Sequence, residues 1–221
     1  MISSSIKSQL GSPSTLLNPG VTTNFLYRVI GRLTPEEVIR INSVEKQKAR
    51  MNALFGANCS LEFEDVENSV FKHNLLFLDY CMPQIVGECL SACFDPTTES
   101  SRLSDVAKIV AQRNPIGYPG KNVESFYNHK LKVLLLDAAL GMTPSTEWNG
   151  RYDANGGYIV VKEDGDILCY HFYERNDVED YLFYNTRFDA SSRRRYNWGS
   201  LFYGDDGQLH IRLNLQIRFI K

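Results

Sequence analysis

Apolar and polar residues alternate from the first few positions of the chain. Between residues 4 and 10, Ile6 and Leu10 fall on one side and Ser5, Lys7 and Gln9 on the other, which predicts a strand. Residues 11–20 are rich in Gly, Ser, Pro and Asn and read as a loop. Phe25, Tyr27 and Val29 then alternate with smaller or polar partners, predicting a second strand over 23–30. Thr34-Pro35-Glu36-Glu37 is a helix start: Thr34 caps, Pro35 suits the first turn, and Glu37 closes a capping box. That helix continues to about residue 54, with a break near Asn42-Ser43, and a short strand follows over 60–66. Helical stretches are predicted over 68–80, 83–94, 104–112 and 122–140. In the last, Phe126, Lys130, Val133, Leu134 and Asp137 recur at helical period and Gly141 is the stop.

From Asp153 onward the pattern turns to strands. Residues 157–162 and 167–173 flank Glu163-Asp164-Gly165-Asp166, a strong hairpin turn. Asn176 caps a short helix through Tyr184, and residues 187–196 are basic and turn-like. A last hairpin uses 200–203 and 208–219, turning at Asp205-Asp206-Gly207. The elements add up to an α/β (α+β) protein, a mixed sheet with flanking helices and C-terminal β-hairpins. The strand bearing Lys7 is expected inside a sheet flanked by the helices of residues 34–141. One domain, 1–221, is expected: core strands and a loop in 1–33, a mainly helical part in 34–146, and a strand-rich part in 147–221.

At 221 residues and 43% hydrophobic the chain supports one good core. Its net charge of -2 excludes a polycation, so any affinity for nucleic acid must rest on local clusters of Arg and Lys. An aromatic share of 12% favours strands and also suits a surface that meets nucleic acid. The cysteines number five and form no C-x-x-C. Cys89 and Cys93 share a helical face and could be joined with His73 around zinc, but structural zinc sites use tighter pairs, and buried reduced thiols are the better reading. No apolar run is long enough to span a bilayer, and Met1-Ile2-Ser3-Ser4-Ser5 lacks the features of a signal peptide. A reducing cytoplasm is the expected setting.

Four groups of residues bear on chemistry. Ser5, Lys7 and Gln9 share a strand face, and many metal-dependent nucleases present an acid and then a lysine two residues on, because positions two apart project into the same cleft. The lysine there orients or deprotonates the attacking water. Serine occupies the acid's place in this chain, and by pattern alone a solvated polar face is the better reading. The loop with Ser8, Ser14, Thr15 and Asn18, followed by Thr23 and Asn24, offers hydroxyls and amides of the kind that contact phosphates, although polar loops are common. Arg187, with Arg193-Arg194-Arg195 and Asn197 beside Tyr196 and Trp198, is either a solvated charge run or a guanine reader. Glu163, Asp164 and Asp166 read as a solvated turn rather than a cation site. His73, His129, His171 and His210 show no paired spacing and read as ordinary core or surface residues. The sequence names no metal ligands; Glu62, Glu64 and Asp65 on the short strand are the first acids to consider.

Two blocks together are specific. SIKSQLGSPSTLLNPGVTTNFLY (residues 5–27) and EWNGRYDANGGYIVVKEDGDILCYHFYERNDVEDYLFYNTRFD (residues 147–189), with the ending LNLQIRFIK (residues 213–221), resemble the HpaII family of type II restriction endonucleases. The resemblance implies a restriction-endonuclease-like fold and Mg2+-dependent, sequence-specific cleavage of double-stranded DNA at a short CCGG-like palindrome. It implies Lys7 as the catalytic lysine, with Gln9 beside it. It further implies a cognate DNA methyltransferase as system partner, and a homodimer is compatible with it. Family members look longer at the N-terminus, so a chain short of part of its catalytic core, with little cleavage of its own, is expected. The alternative is a catalytically inactive DNA-binding remnant or subunit, and a weaker third option is an interaction protein with no DNA role.

Overall fold

A computed structural model describes residues 4–8, 13–152, 157–161, 166–171 and 175–220. Strand β1 (Ser4–Ser8) forms where alternation predicts it. It pairs in parallel with β5 (Gly157–Val161), Lys7 opposite Val160, and β5 turns back onto β6 (Ile167–His171). A parallel partner cannot be reached through a hairpin, and here the whole helical part of the chain lies between the two strands. The resulting sheet has the order β1-β5-β6, with β1 at its edge among the described residues. The Lys7 strand thus lies in a sheet as expected, but the helices of residues 34–141 pack chiefly against other strands.

The helices cover a different sheet. Strands β3 (Asn24–Ile30) and β4 (Ser60–Val66) are joined by β8 (Leu201–Tyr203) and β9 (Leu209–Asn214) in the order β4-β3-β9-β8. Phe25, Tyr27 and Val29 of β3 and Ile211 and Leu213 of β9 are buried, and that apolar face demands cover. Helices α3 (Ser69–Leu78) and α4 (Met82–Phe94) supply it, with α5 (Leu103–Arg113) and α6 (Val123–Ala139) packed behind. The Tyr27 hydroxyl donates to the Gly87 carbonyl at 2.7 Å. Residue 87 has to be glycine, because a Cβ there would sit 2.4 Å from the Phe63 ring.

Local signals at the helix ends behave as expected. Glu37 N donates to Thr34 Oγ1 at 3.2 Å and Thr34 N to Glu37 Oε2 at 2.8 Å, the capping box of α1 (Pro35–Ser43). The break near Asn42-Ser43 separates α1 from α2 (Gln47–Gly56). Asn68 caps α3.

Three features depart from the pattern reading. The loop expected over 11–20 contains β2 (Thr15–Leu17), whose Leu16 and Leu17 are buried. The basic stretch after α7 (Arg175–Tyr184) begins with β7 (Thr186–Phe188) and ends in a one-turn helix, α8 (Arg193–Tyr196). The last strand does not run straight to residue 219. It breaks after Asn214, and β10 (Ile217–Phe219) passes into a third sheet with the order β2-β10-β7. The three strands of that sheet depend on long-range pairing, invisible to a local window. Among the described residues no helix is long and apolar enough to cross a membrane.

Candidate nucleic-acid interface

Ser5 and Lys7 lie two apart on β1, in register with Tyr158 and Val160 of β5. Ser8 ends the strand, and Gln9 lies outside the described residues, as do Glu163 and Asp164 of the acidic turn.

The basic segment is built more firmly than a loose charge run. Arg193, Arg194 and Arg195 occupy α8, with Arg194 and Arg195 exposed and Arg193 half-buried. Asn197 ends the turn in the left-handed region (φ 51°), where asparagine is tolerated, and its side chain is exposed. Trp198 turns inward and packs on Phe94 with ring centroids 5.6 Å apart. Gly199 has φ 78°, and a Cβ there would come within 2.4 Å of Gln47 Oε1 and 2.9 Å of Arg193 Cδ. Beneath lies Arg50, almost fully buried, and among the described residues no carboxylate is in ion-pair range of it. Its guanidinium donates to the carbonyls of Gly199, Asn42 and Val44 and to Ser200 Oγ. Burial, and then the nearby Arg193, bring its pKa down to about 10. Asn42 extends the brace, its amide donating to Leu201 O at 2.9 Å while its oxygen accepts from Leu201 N at 2.8 Å. The junction of α1 and α2 thus fixes the three arginines from below.

Thr23 and Asn24, expected as DNA-contacting groups, are buried and their side chains are used inside the protein. Asn214 Nδ2 lies 2.7 Å from both Gly20 O and Asn24 Oδ1, and Asn24 Nδ2 donates to Tyr196 O at 3.0 Å. Ser191 Oγ donates to Asn214 Oδ1 at 2.6 Å. These residues tie the N-terminal segment to α8. Their placement suits positioning the basic segment rather than touching a duplex. Ser14 and Thr15 are half-buried beside β10, and Asn18 is exposed. Arg187 lies on β7 with its Nη2 3.6 Å from Asp189. The structure therefore gathers Thr23, Asn24 and the Arg193–Tyr196 turn into one unit, while β1 belongs to another sheet.

One acid–histidine group escaped the spacing argument. Glu64, Asp206 and His210 present ligand atoms within 4.8 Å of one another. The β8–β9 turn brings residues 206–210 to β4, a meeting that no sequence interval announces. His210 Nε2 lies 3.0 Å from Glu64 Oε2 and its Nδ1 3.0 Å from Gln208 O. Mg2+ wants an all-oxygen shell with retained waters, whereas this set spends one position on an imidazole and already closes as a histidine–carboxylate pair. It does not fit Mg2+. Glu62 is held by Arg28 at 2.6 Å and Asp65 by Lys72 at 2.7 Å. Cys89 and Cys93 do not meet His73 in a ligand group. Burial pushes the Cys89 thiol far up and that of Cys93 to about 12, as expected of inert thiols.

No solved structure matches the chain. The type II restriction enzyme HpaII of Haemophilus parainfluenzae is 41% identical over 216 residues, which cover 98% of this chain. The chain spans 59% of that relative's length. The family model of the HpaII restriction endonuclease matches residues 2–219, so both the Lys7 strand and the braced arginines fall inside it, and the chain belongs to that family.

Proposed function

We propose that this chain is the DNA-reading and lysine-bearing part of a type II site-specific endonuclease. Its substrate is double-stranded DNA with a short, CCGG-like palindrome, and the bond hydrolysed is a phosphodiester. The observation that carries the reading is the family match over residues 2–219. The position of Lys7 on strand β1, with a parallel neighbour along its length, is compatible with it. In this reading Lys7 orients and helps deprotonate the attacking water, and its charge offsets that of the scissile phosphate. Gln9, two residues on in the sequence, is proposed to assist it. Divalent-metal dependence, with Mg2+ as the ion, comes from the family likeness, and no described residues are assigned to hold it. Arg194 and Arg195, the latter lying 5.4 Å over the Tyr196 ring, are proposed to reach guanine O6 and N7, with Arg193 and Asn197 at the margin. Ser8, Ser14, Thr15, Asn18 and Arg187 are proposed as backbone contacts, and Thr23 and Asn24 as their supports. A cognate DNA methyltransferase, a homodimer and a cytoplasmic setting accompany the proposal.

Lys7→Ala tests the reading. With an upstream acid-bearing segment supplied, plasmid cleavage with Mg2+ is expected to be lost in this variant while duplex binding stays within a few-fold, because many other groups hold the phosphates. Unchanged cleavage by the variant would remove Lys7 from the chemistry. A second reading is favoured by Ser5, which stands where such strands usually carry an acid. In that reading the chain binds DNA without cutting it, and wild-type protein would bind a duplex in salt-sensitive fashion yet leave plasmid intact.

A further inference from the structure

The sheet β2-β10-β7 has an inner face of Leu17, Ile217, Phe219 and Phe188, all buried. Its outer face carries a row of cations. Arg218 of β10 stands in register with Arg187 of β7 and, on its other side, with Thr15 of β2. Arg187 forms a further bridge with Arg102, just before α5. Three arginines are therefore successive cross-strand neighbours, where like charges directly opposite one another destabilise a sheet.

Among the described residues, the protein supplies one counter-charge. Asp189 Oδ2 lies 3.2 Å from Arg218 Nη1 and 3.6 Å from Arg187 Nη2, and among the described residues no other carboxylate is in ion-pair range of the row. The Nε atoms of Arg187 and Arg218 are shut off from water without a hydrogen-bond acceptor, and so is the hydroxyl of Ser14 beside Thr15. Leaving such donors unmatched is costly, and arginine donors are made for bidentate oxygen acceptors. Arg102 adds a second conflict. It is the N-cap of α5, an 11-residue helix, and it makes no side-chain cap bond. A cation at that end opposes the helix dipole, whose positive pole favours anions. Asp105 in the first turn of α5 is engaged by Ser100 at 2.6 Å.

We infer that Arg102, Arg187 and Arg218 form a clamp for backbone phosphates of duplex DNA, with Asp189 as the counter-ion that a phosphate displaces. The inference rests on the DNA-binding reading above and adds to it a site outside the Arg193–Tyr196 turn. Each local conflict is relieved by one kind of ligand, an oxyanion lying across the row. Asp189 holds the guanidinium groups in place in the free protein and leaves the row with a net positive charge of about two.

Binding of a fluorescent random-sequence duplex, measured by anisotropy without Mg2+ over a range of salt, decides between the clamp and an ordinary solvated face. For every phosphate that the protein no longer neutralises, the slope of log affinity against log salt falls by about 0.9. Arg102→Gln and Arg218→Gln are each expected to lower it by about that much. Asp189→Asn is expected to bind the same duplex more tightly and with a steeper slope. Arg102 is exposed, so its variant should keep the fold; if thermal melting shows Arg218→Gln to be poorly folded, Arg102→Gln and Asp189→Asn carry the test. Unchanged slopes for Arg102→Gln and Arg218→Gln, or unchanged or weaker binding by Asp189→Asn, would overturn the clamp while leaving DNA binding intact. A wild-type chain that bound no duplex at low salt would overturn both.

Discussion

Two sheets of this protein turn polar faces outward, and they settle their charges differently. On the four-stranded sheet Arg28, Arg212 and His210 each have an acid of their own. Arg28 meets Glu62 at 2.6 Å, Arg212 takes both oxygens of Glu67 at 2.7 and 2.8 Å, and His210 meets Glu64 at 3.0 Å. On the β2-β10-β7 sheet, Arg187 and Arg218 share Asp189, and among the described residues neither they nor Arg102 has another acid in ion-pair range. Both faces carry cross-strand ion pairs, each of which is worth little by itself. The difference lies in the remainder. A face whose charges cancel within the fold is complete without a ligand. One that keeps like charges in register, with donors left over, is stabilised by something added from outside. An arginine count alone would not separate the two.

The largest expected effect comes from the joint between them. Asn214 ends β9, just before the chain crosses to β10, and its side chain bonds Gly20, Asn24 and Ser191. Asn214→Ala leaves buried partners unsatisfied and is expected to cost about 3 kcal/mol. Urea denaturation measures it, and a loss under about 1 kcal/mol would mean that the two faces do not depend on this joint. Next comes the braced turn. Arg194→Ala or Arg195→Ala is expected to cost ~1–3 kcal/mol at a cognate C/G-rich duplex and little on random DNA. Equal losses on both duplexes would make α8 another backbone clamp and erase the division between reading and holding.

The local half of this architecture is legible in the sequence. Thr34-Pro35-Glu36-Glu37 declares a helix start because every partner of a capping box lies within four residues. The alternation around Phe25, Tyr27 and Val29 declares a buried strand face for the same reason. What stays hidden depends on distant partners. Thr15–Leu17 reads as loop because its apolar pair is short and its ladder partner is β10, at the other end of the chain. The Arg row is beyond reach because Arg102, Arg187 and Arg218 come from three separate regions of the chain. Thr23 and Asn24 look like surface contacts because composition cannot tell an exposed amide from one committed to Asn214. Glu64 and His210 are visible singly, but their meeting is a product of the β8–β9 turn.

The smallest effect tests the comparison most directly. Glu67→Gln and Asp189→Asn each remove one negative charge, so they shift the overall charge of the protein equally. Glu67→Gln strips Arg212 of its acid, yet the Arg212 guanidinium also lies 4.1 Å over the Phe202 ring. That cation–π contact holds the side chain flat against its own sheet. The stability loss should therefore stay within about 1 kcal/mol, the range of partly exposed ion pairs. Binding of random duplex should keep its wild-type salt slope, because the register partner of Arg212 on β3 is Leu26, not another cation. Asp189→Asn should steepen the slope instead. Measured side by side, a matching rise in both variants would reduce the contrast between the faces to total charge, since a long-range field responds to any lost acid alike. A rise confined to Asp189→Asn would locate the phosphate contacts in the unbalanced row, where the arginines stand next to one another.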